Sequence, residues 1–91
     1  MPVTREQINF LENCKNRFNR ANDKEELANQ LMCFIQGLRE IFNDNIFVIR
    51  LSDLLNPLLF NSQINKPKIF DIMNTAVLHY KEILEIQHKA P

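Results

Sequence analysis

The hydrophobic residues of this chain recur at helical spacing in four segments, which clusters of polar residues separate. An α-helix turns about 100° per residue, so apolar residues three and four apart share one side, as in a helix that packs on a core. The segments cover about residues 4–20, 23–42, 46–60 and 66–88. The pattern therefore predicts an all-α fold of four helices.

The first helix begins with a capping signature. Thr4 and Gln7 have the spacing of a capping box, in which the threonine hydroxyl and the glutamine side chain satisfy first-turn amides. We expect the core side of this helix to hold Val3, Gln7, Phe10, Leu11, Cys14, Phe18 and Ala21. This assignment leaves Ile8 facing outward.

The second helix has the clearest apolar side. Asp23 with Glu26 repeats the capping signature, and the predicted core residues are Leu27, Leu31, Phe34, Ile35, Leu38, Ile41 and Phe42. Gly37 lies inside this helix, where glycine costs about 1 kcal/mol relative to alanine. Its presence indicates that another helix passes close by, either within the fold or from a partner.

The third segment follows the turn cluster at residues 43–45 and has two interpretations. Residues 46–49 are all β-branched or aromatic and favour a strand by propensity, but a single strand would leave its backbone groups without partners. We therefore predict a helix, with a core side of Phe47, Leu51, Leu54, Leu55 and Leu58. Pro57 either kinks this helix or, with Asn56 as N-cap, begins a new one.

The fourth helix follows a polar connection at residues 61–66, and Pro67 occupies its first turn. Its core side holds Ile69, Met73, Ala76, Val77, Tyr80, Ile83 and Leu84, widened by Phe70 and Ile72. Connections of a few residues make neighbouring helices antiparallel. We expect a single domain over residues 1–91, a compact antiparallel four-helix bundle, with a less regular helical array as the alternative.

Composition excludes several classes of function. The 91 residues include 11 basic and 11 acidic side chains, so no net charge attracts nucleic acid or an anionic membrane. The only glycine cannot form a phosphate-binding loop, and the apolar runs are far shorter than the roughly 20 residues of a membrane span. A DNA-reading helix beginning near Lys66 would need side chains that the core requires. The N-terminus lacks the apolar stretch of a secretory signal, so we expect a cytoplasmic protein.

The candidate chemistry is sparse. Cys14 and Cys33 could lie at similar heights in a helical hairpin but point in different directions, so we expect a buried thiol at Cys14 and an exposed one at Cys33. His79 and His88 do not have the spacing at which two imidazoles bind one metal ion. We predict no catalytic, metal-binding or cofactor-binding residue and no enzyme. The alternative, a small enzyme or ligand-binding bundle, would have to use Cys14, His79 or Tyr80.

Some apolar residues remain outside the predicted core sides. Gathered into one patch, they would form a surface that binds another protein or a second copy of the chain. We therefore predict a small interaction protein, acting as a regulator, adaptor, chaperone or inhibitor. The candidate partner-binding residues are Ile8, Met32, Cys33, Ile49, Phe60, Leu78 and Ile86.

The C-terminal half also suggests one family. The run of residues 51–60, LSDLLNPLLF, ahead of Lys68, Ile69 and Phe70, resembles the passage from the third to the fourth helix of the immunity proteins that protect bacteriocin producers. The resemblance rests on helix lengths and apolar spacing and transfers no functional residue. It implies a cytosolic helical protein as an alternative function.

Overall fold

Four helices form in the order that the sequence predicts. The computed structural model describes residues 3–41, 45–60 and 65–89, which contain α1 (Arg5–Arg20), α2 (Lys24–Ile41), α3 (Ile46–Phe60) and α4 (Lys66–Lys89). This confirms the all-α fold, and the predicted core position Phe42 lies outside the described residues. None of these helices combines the length and the apolar composition that crossing a membrane requires.

Polar side chains cap the starts of three helices. At α1, Thr4 Oγ1 accepts the Gln7 amide at 3.2 Å while the Thr4 amide donates to Gln7 Oε1 at 3.0 Å, which confirms the capping box. Asn45 Oδ1 accepts the Phe47 amide at 2.8 Å before α3. Asn65 Oδ1 accepts the Lys68 amide at 3.2 Å before α4. Each contact satisfies a first-turn amide that the helix itself leaves without a partner.

The helices form a ring in which α1 packs on α2 and α4, and α3 packs on α2 and, less extensively, on α4. Lys81 Nζ pairs with Glu12 Oε2 at 3.1 Å, and Lys66 Nζ donates to the Ala21 carbonyl oxygen at 2.7 Å. The end of α1 thus lies beside the start of α4, so these two helices are antiparallel. Neighbouring helices are antiparallel throughout, as in an up-down four-helix bundle.

The core lies between two layers of helices. The Cα atoms span 50 × 25 × 17 Å, and the shortest dimension fits two helices stacked about 9 Å apart. Every helix consequently keeps one side on the surface. The largest fully buried side chains are Leu11, Phe18, Leu31, Phe34, Leu38, Leu51, Leu58, Ile69, Met73, Val77 and Tyr80.

The prediction for α1 is wrong at two residues. Ile8, expected to face outward, is 3% exposed, whereas Phe10, expected in the core, is 48% exposed. Ile8 shares a side of the helix with Glu12 and Lys15, and both of these reach α4, through Lys81 and Asn74. The helix is therefore rotated toward α4, which covers Ile8.

Gly37 lets α1 and α2 approach closely. A Cβ atom built at this position would lie 2.9 Å from Leu11 Cδ2 and 3.0 Å from Phe10 Cδ1. Both contacts come from α1, so the close neighbour that the glycine predicted is a helix of the same fold.

α3 continues through Pro57 as one helix that ends at Phe60. The alternative of a separate helix beginning after Asn56 is therefore wrong. Proline removes one amide donor from the helix and leaves the carbonyl oxygen of Asp53 without its helical partner. Asp53 is exposed, so water can solvate this part of the helix.

Candidate partner-binding surface

A groove with an apolar floor runs between α2 and α3 on the outside of the bundle. Near the start of α2, a cavity of about 390 Å³ includes Met32, Leu58 and Leu59 in its lining. Farther along, a cavity of about 150 Å³ includes Met32, Ile35 and Leu55. Because Met32 borders both cavities, they form successive parts of one groove.

α3 is the most apolar of the four helices although only part of it is buried. Its polar residues are Arg50, Ser52, Asp53 and Asn56, and its buried residues are Val48, Leu51 and Leu58. Phe60 is 83% exposed, and Ile46, Ile49 and Leu59 are also exposed. The outer side of α3 therefore combines these exposed apolar residues with the exposed polar residues Arg50, Asp53 and Asn56.

We call the outer side of α2 and α3 the α2–α3 face, with Met32, Ile46, Ile49, Leu59 and Phe60 as its exposed apolar residues. Three of the predicted partner-binding residues belong to it: Met32, Ile49 and Phe60. Met32 and Leu59 line the same cavity, so the two helices contribute jointly to the face.

The other predicted residues lie elsewhere. Cys33 is exposed on the side of α2 turned toward α1, where it influences Cys14 electrostatically. Leu78 and Ile86 are exposed on the outside of α4, and Ile8 is in the core. The seven residues therefore do not form one patch, and of those on the α2–α3 face Met32 lines the groove between the two helices.

Three exposed residues were not predicted from the sequence: Ile46, Leu59 and Phe10. Ile46 shares a side of α3 with Ile49 and Asp53, so helical spacing alone could have placed it outside. Helical spacing could not predict the exposure of Phe10, because this exposure depends on the orientation of α1 about its own axis relative to α2 and α4.

A second groove, of about 430 Å³, lies between α3 and α4. Its apolar lining consists of Leu54 and Ile72, and its charged lining of Arg50, Asp53, Lys68 and Asp71. Two positive and two negative groups give it no preference for a charged ligand. The groove lies between α3 and α4 because these two helices pack less extensively than the other neighbouring pairs.

The two thiols occupy different environments, as the sequence predicts. Cys14 is buried and Cys33 is exposed, and neither is in a disulfide. Burial, assisted by Cys33, raises the pKa of Cys14 from 9.0 to about 11. A catalytic cysteine needs the opposite shift, because the thiolate is the nucleophile.

We expect only one thiol to react with an alkylating reagent in the folded protein at pH 7. Cys33 is accessible, whereas Cys14 is both shielded and protonated, so its labelling should be at least about a hundredfold slower. Mass spectrometry after timed labelling measures both rates, and Cys33→Ser isolates Cys14. Labelling in denaturant should modify both residues. Equal labelling rates for the two thiols in the native state would contradict the burial of Cys14. A Cys14 labelling rate that does not rise between pH 9 and pH 11 would contradict its raised pKa.

A cluster of polar and aromatic side chains lies where α3 and α4 pack. The Asn45 side-chain amide donates to the Tyr80 hydroxyl, and the Phe47 and His79 ring centroids lie 5.7 Å apart. Cys14 lies on α1, close enough to Cys33 of α2 for the two thiols to interact electrostatically. Among the described residues, no group of three or more His, Cys, Asp or Glu side chains could hold a metal ion.

Comparison of the chain with known protein families, curated proteins and solved structures found no match. The resemblance to immunity proteins therefore stays a prediction from sequence.

Proposed function

We propose that this protein is a small non-enzymatic interaction module, a regulator, adaptor, chaperone or inhibitor, that acts in the cytoplasm by binding a partner protein through the α2–α3 face. The observation that carries the proposal is the set of large apolar side chains that α3 leaves exposed, which are Ile46, Ile49, Leu59 and Phe60. Exposed apolar surfaces of this kind are typical of protein-binding sites when they are contiguous.

The composition of the face supports this proposal. Phe60 and Met32 are side-chain types enriched at protein interfaces, because an aromatic ring fills a pocket and a flexible thioether adapts to one. Met32 lines the groove together with Leu55 and Leu58 of α3. This arrangement can accept an apolar side of a partner's helix.

Binding through this face should depend on Met32 and Phe60 and should not depend on Leu78. Met32→Lys or Phe60→Asp places a charge that an apolar interface would have to desolvate, so we expect at least about a tenfold loss of partner retention. Leu78→Asp is the matched control, since Leu78 is similarly exposed on α4.

The experiment is affinity capture from a lysate of the organism that encodes the chain, with quantitative mass spectrometry of the retained proteins. Circular dichroism should show that all three variants keep the helical fold. The proposal predicts a protein that the unsubstituted chain and Leu78→Asp retain and that both other variants lose. Undiminished retention by Met32→Lys and Phe60→Asp would refute it.

A further inference from the structure

The groove carries opposite charges at its two ends. At one end, Asp23 and Glu25 outnumber Lys24 among the lining residues. At the other end, Arg39 is the charged residue of the lining. In the part of the chain that the structure describes, neither Glu25 nor Arg39 forms an ion pair.

These charges are placed symmetrically about Met32. Glu25, Met32 and Arg39 follow one another at intervals of seven residues, which returns to nearly the same side of a helix after a rise of about 10.5 Å. The acidic and the basic residue therefore lie at equal distances on either side of an exposed apolar residue.

We propose that the partner on this part of the α2–α3 face is a second copy of the chain, related by a two-fold axis that passes beside Met32. Such an axis pairs a surface with its own reversed image. It sets α2 of the two copies antiparallel, with Glu25 of each facing Arg39 of the other and the two Met32 side chains in contact. The inference rests on the proposed function and names the partner of that face.

Charge order is the reason for preferring a second copy to a different protein. A surface that attracts a foreign partner electrostatically usually presents one sign of charge to the opposite sign on the partner. This groove is instead negative near Glu25 and positive near Arg39, with Met32 between them. A second copy in the opposite orientation therefore places opposite charges against each other. A dimer formed here also covers Met32 and the neighbouring Leu59, which the single chain leaves exposed.

The first test is a charge exchange, measured by sedimentation equilibrium over a hundredfold range of concentration. Glu25→Arg puts two arginine pairs into the dimer and Arg39→Glu puts in two glutamate pairs, so each variant alone should dimerise at least about tenfold more weakly. Mixing the two variants restores both opposite-charge pairs, and the mixture should form a heterodimer. Glu82→Arg, an equal change of charge on the exposed side of α4, should have no effect.

The second test is a cross-link at the axis. In a Cys33→Ser background, Met32→Cys should form an intermolecular disulfide under mild oxidation by glutathione disulfide, because the two position-32 side chains meet. Leu78→Cys in the same background is the control and should cross-link at least about tenfold more slowly. Cys14 is buried and does not interfere.

Dimerisation that the mixed charge variants restore, together with a selective cross-link at position 32, would support the proposal. A chain that stays monomeric throughout, a dimer insensitive to both charge variants, or equal cross-linking at positions 32 and 78 would overturn it. The capture experiment is independent of these results. The chain could prove monomeric while a different protein is captured and is lost with Met32→Lys and Phe60→Asp. That result would overturn the dimer and support the proposed function.

Discussion

Replacing Asn45 with alanine should lower the free energy of unfolding by about 3 kcal/mol. Asn45 is 8% exposed and acts in two ways, since its Oδ1 caps α3 through the Phe47 amide while its Nδ2 donates to the Tyr80 hydroxyl. Loss of an N-cap costs about 1 kcal/mol. Loss of the hydrogen bond to the Tyr80 hydroxyl costs a further 1–3 kcal/mol or so, because this bond is made away from water.

Asn65→Ala is the matched control, because Asn65 caps α4 in the same way but is exposed. We expect this variant to lose only about 1 kcal/mol, the contribution of the cap. Urea unfolding followed by circular dichroism measures both values. A double-mutant cycle of Asn45→Ala with Tyr80→Phe should give a coupling of about 1 kcal/mol or more. Equal destabilisation by Asn45→Ala and Asn65→Ala would show that the contact with Tyr80 adds no stability.

Gly37→Leu should destabilise the fold by about 2 kcal/mol, even though leucine is the better helix former. The Cβ atom of any side chain here would lie 2.9 Å from Leu11 Cδ2, and leucine would add further carbons against this fully buried residue, which cannot move far without disturbing the core. Overpacking of this kind costs about 1–3 kcal/mol or more, and the gain of roughly 1 kcal/mol in helix propensity offsets only part of it.

Two companion variants locate the cause of that loss. Gly37→Ala should stay within about 1 kcal/mol of the unsubstituted protein, because its smaller clash and its propensity gain oppose each other. Adding Phe10→Ala to Gly37→Leu removes an exposed ring that lies 3.0 Å from the new Cβ, and it should recover part of the stability. Thermal unfolding by calorimetry gives the comparison. A Gly37→Leu protein as stable as the original would mean that α1 and α2 separate without cost.

Local sequence signals determined most of the secondary structure. The start of α1 follows from the capping box of Thr4 and Gln7, whose two hydrogen bonds form within four residues. The core side of α2 follows from apolar spacing, because its buried residues lie along one side of the helix and its neighbours α1 and α3 pack on either edge of that side. The buried state of Cys14 and the exposed state of Cys33 follow from the same spacing.

The candidate surface was only partly predictable. Spacing placed Met32, Ile49 and Phe60 on the outside, and each is exposed. Spacing could not group them, because the distance between side chains on two helices depends on how the helices pack. The groove that connects Met32 with Leu59 exists only once α2 and α3 lie antiparallel.

The sequence by itself determined four helices, the cap of α1 and the apolar sides of α2 and α4, because hydrogen bonds and side-chain spacing within one helix are local. Only the tertiary structure decided that Ile8 is buried, that Phe10 lies exposed over Gly37 and that Leu59 of α3 lies beside Met32 of α2. The reason is geometric. Periodicity gives the angles between side chains on one helix, whereas the rotation of that helix in the bundle depends on contacts with all its neighbours.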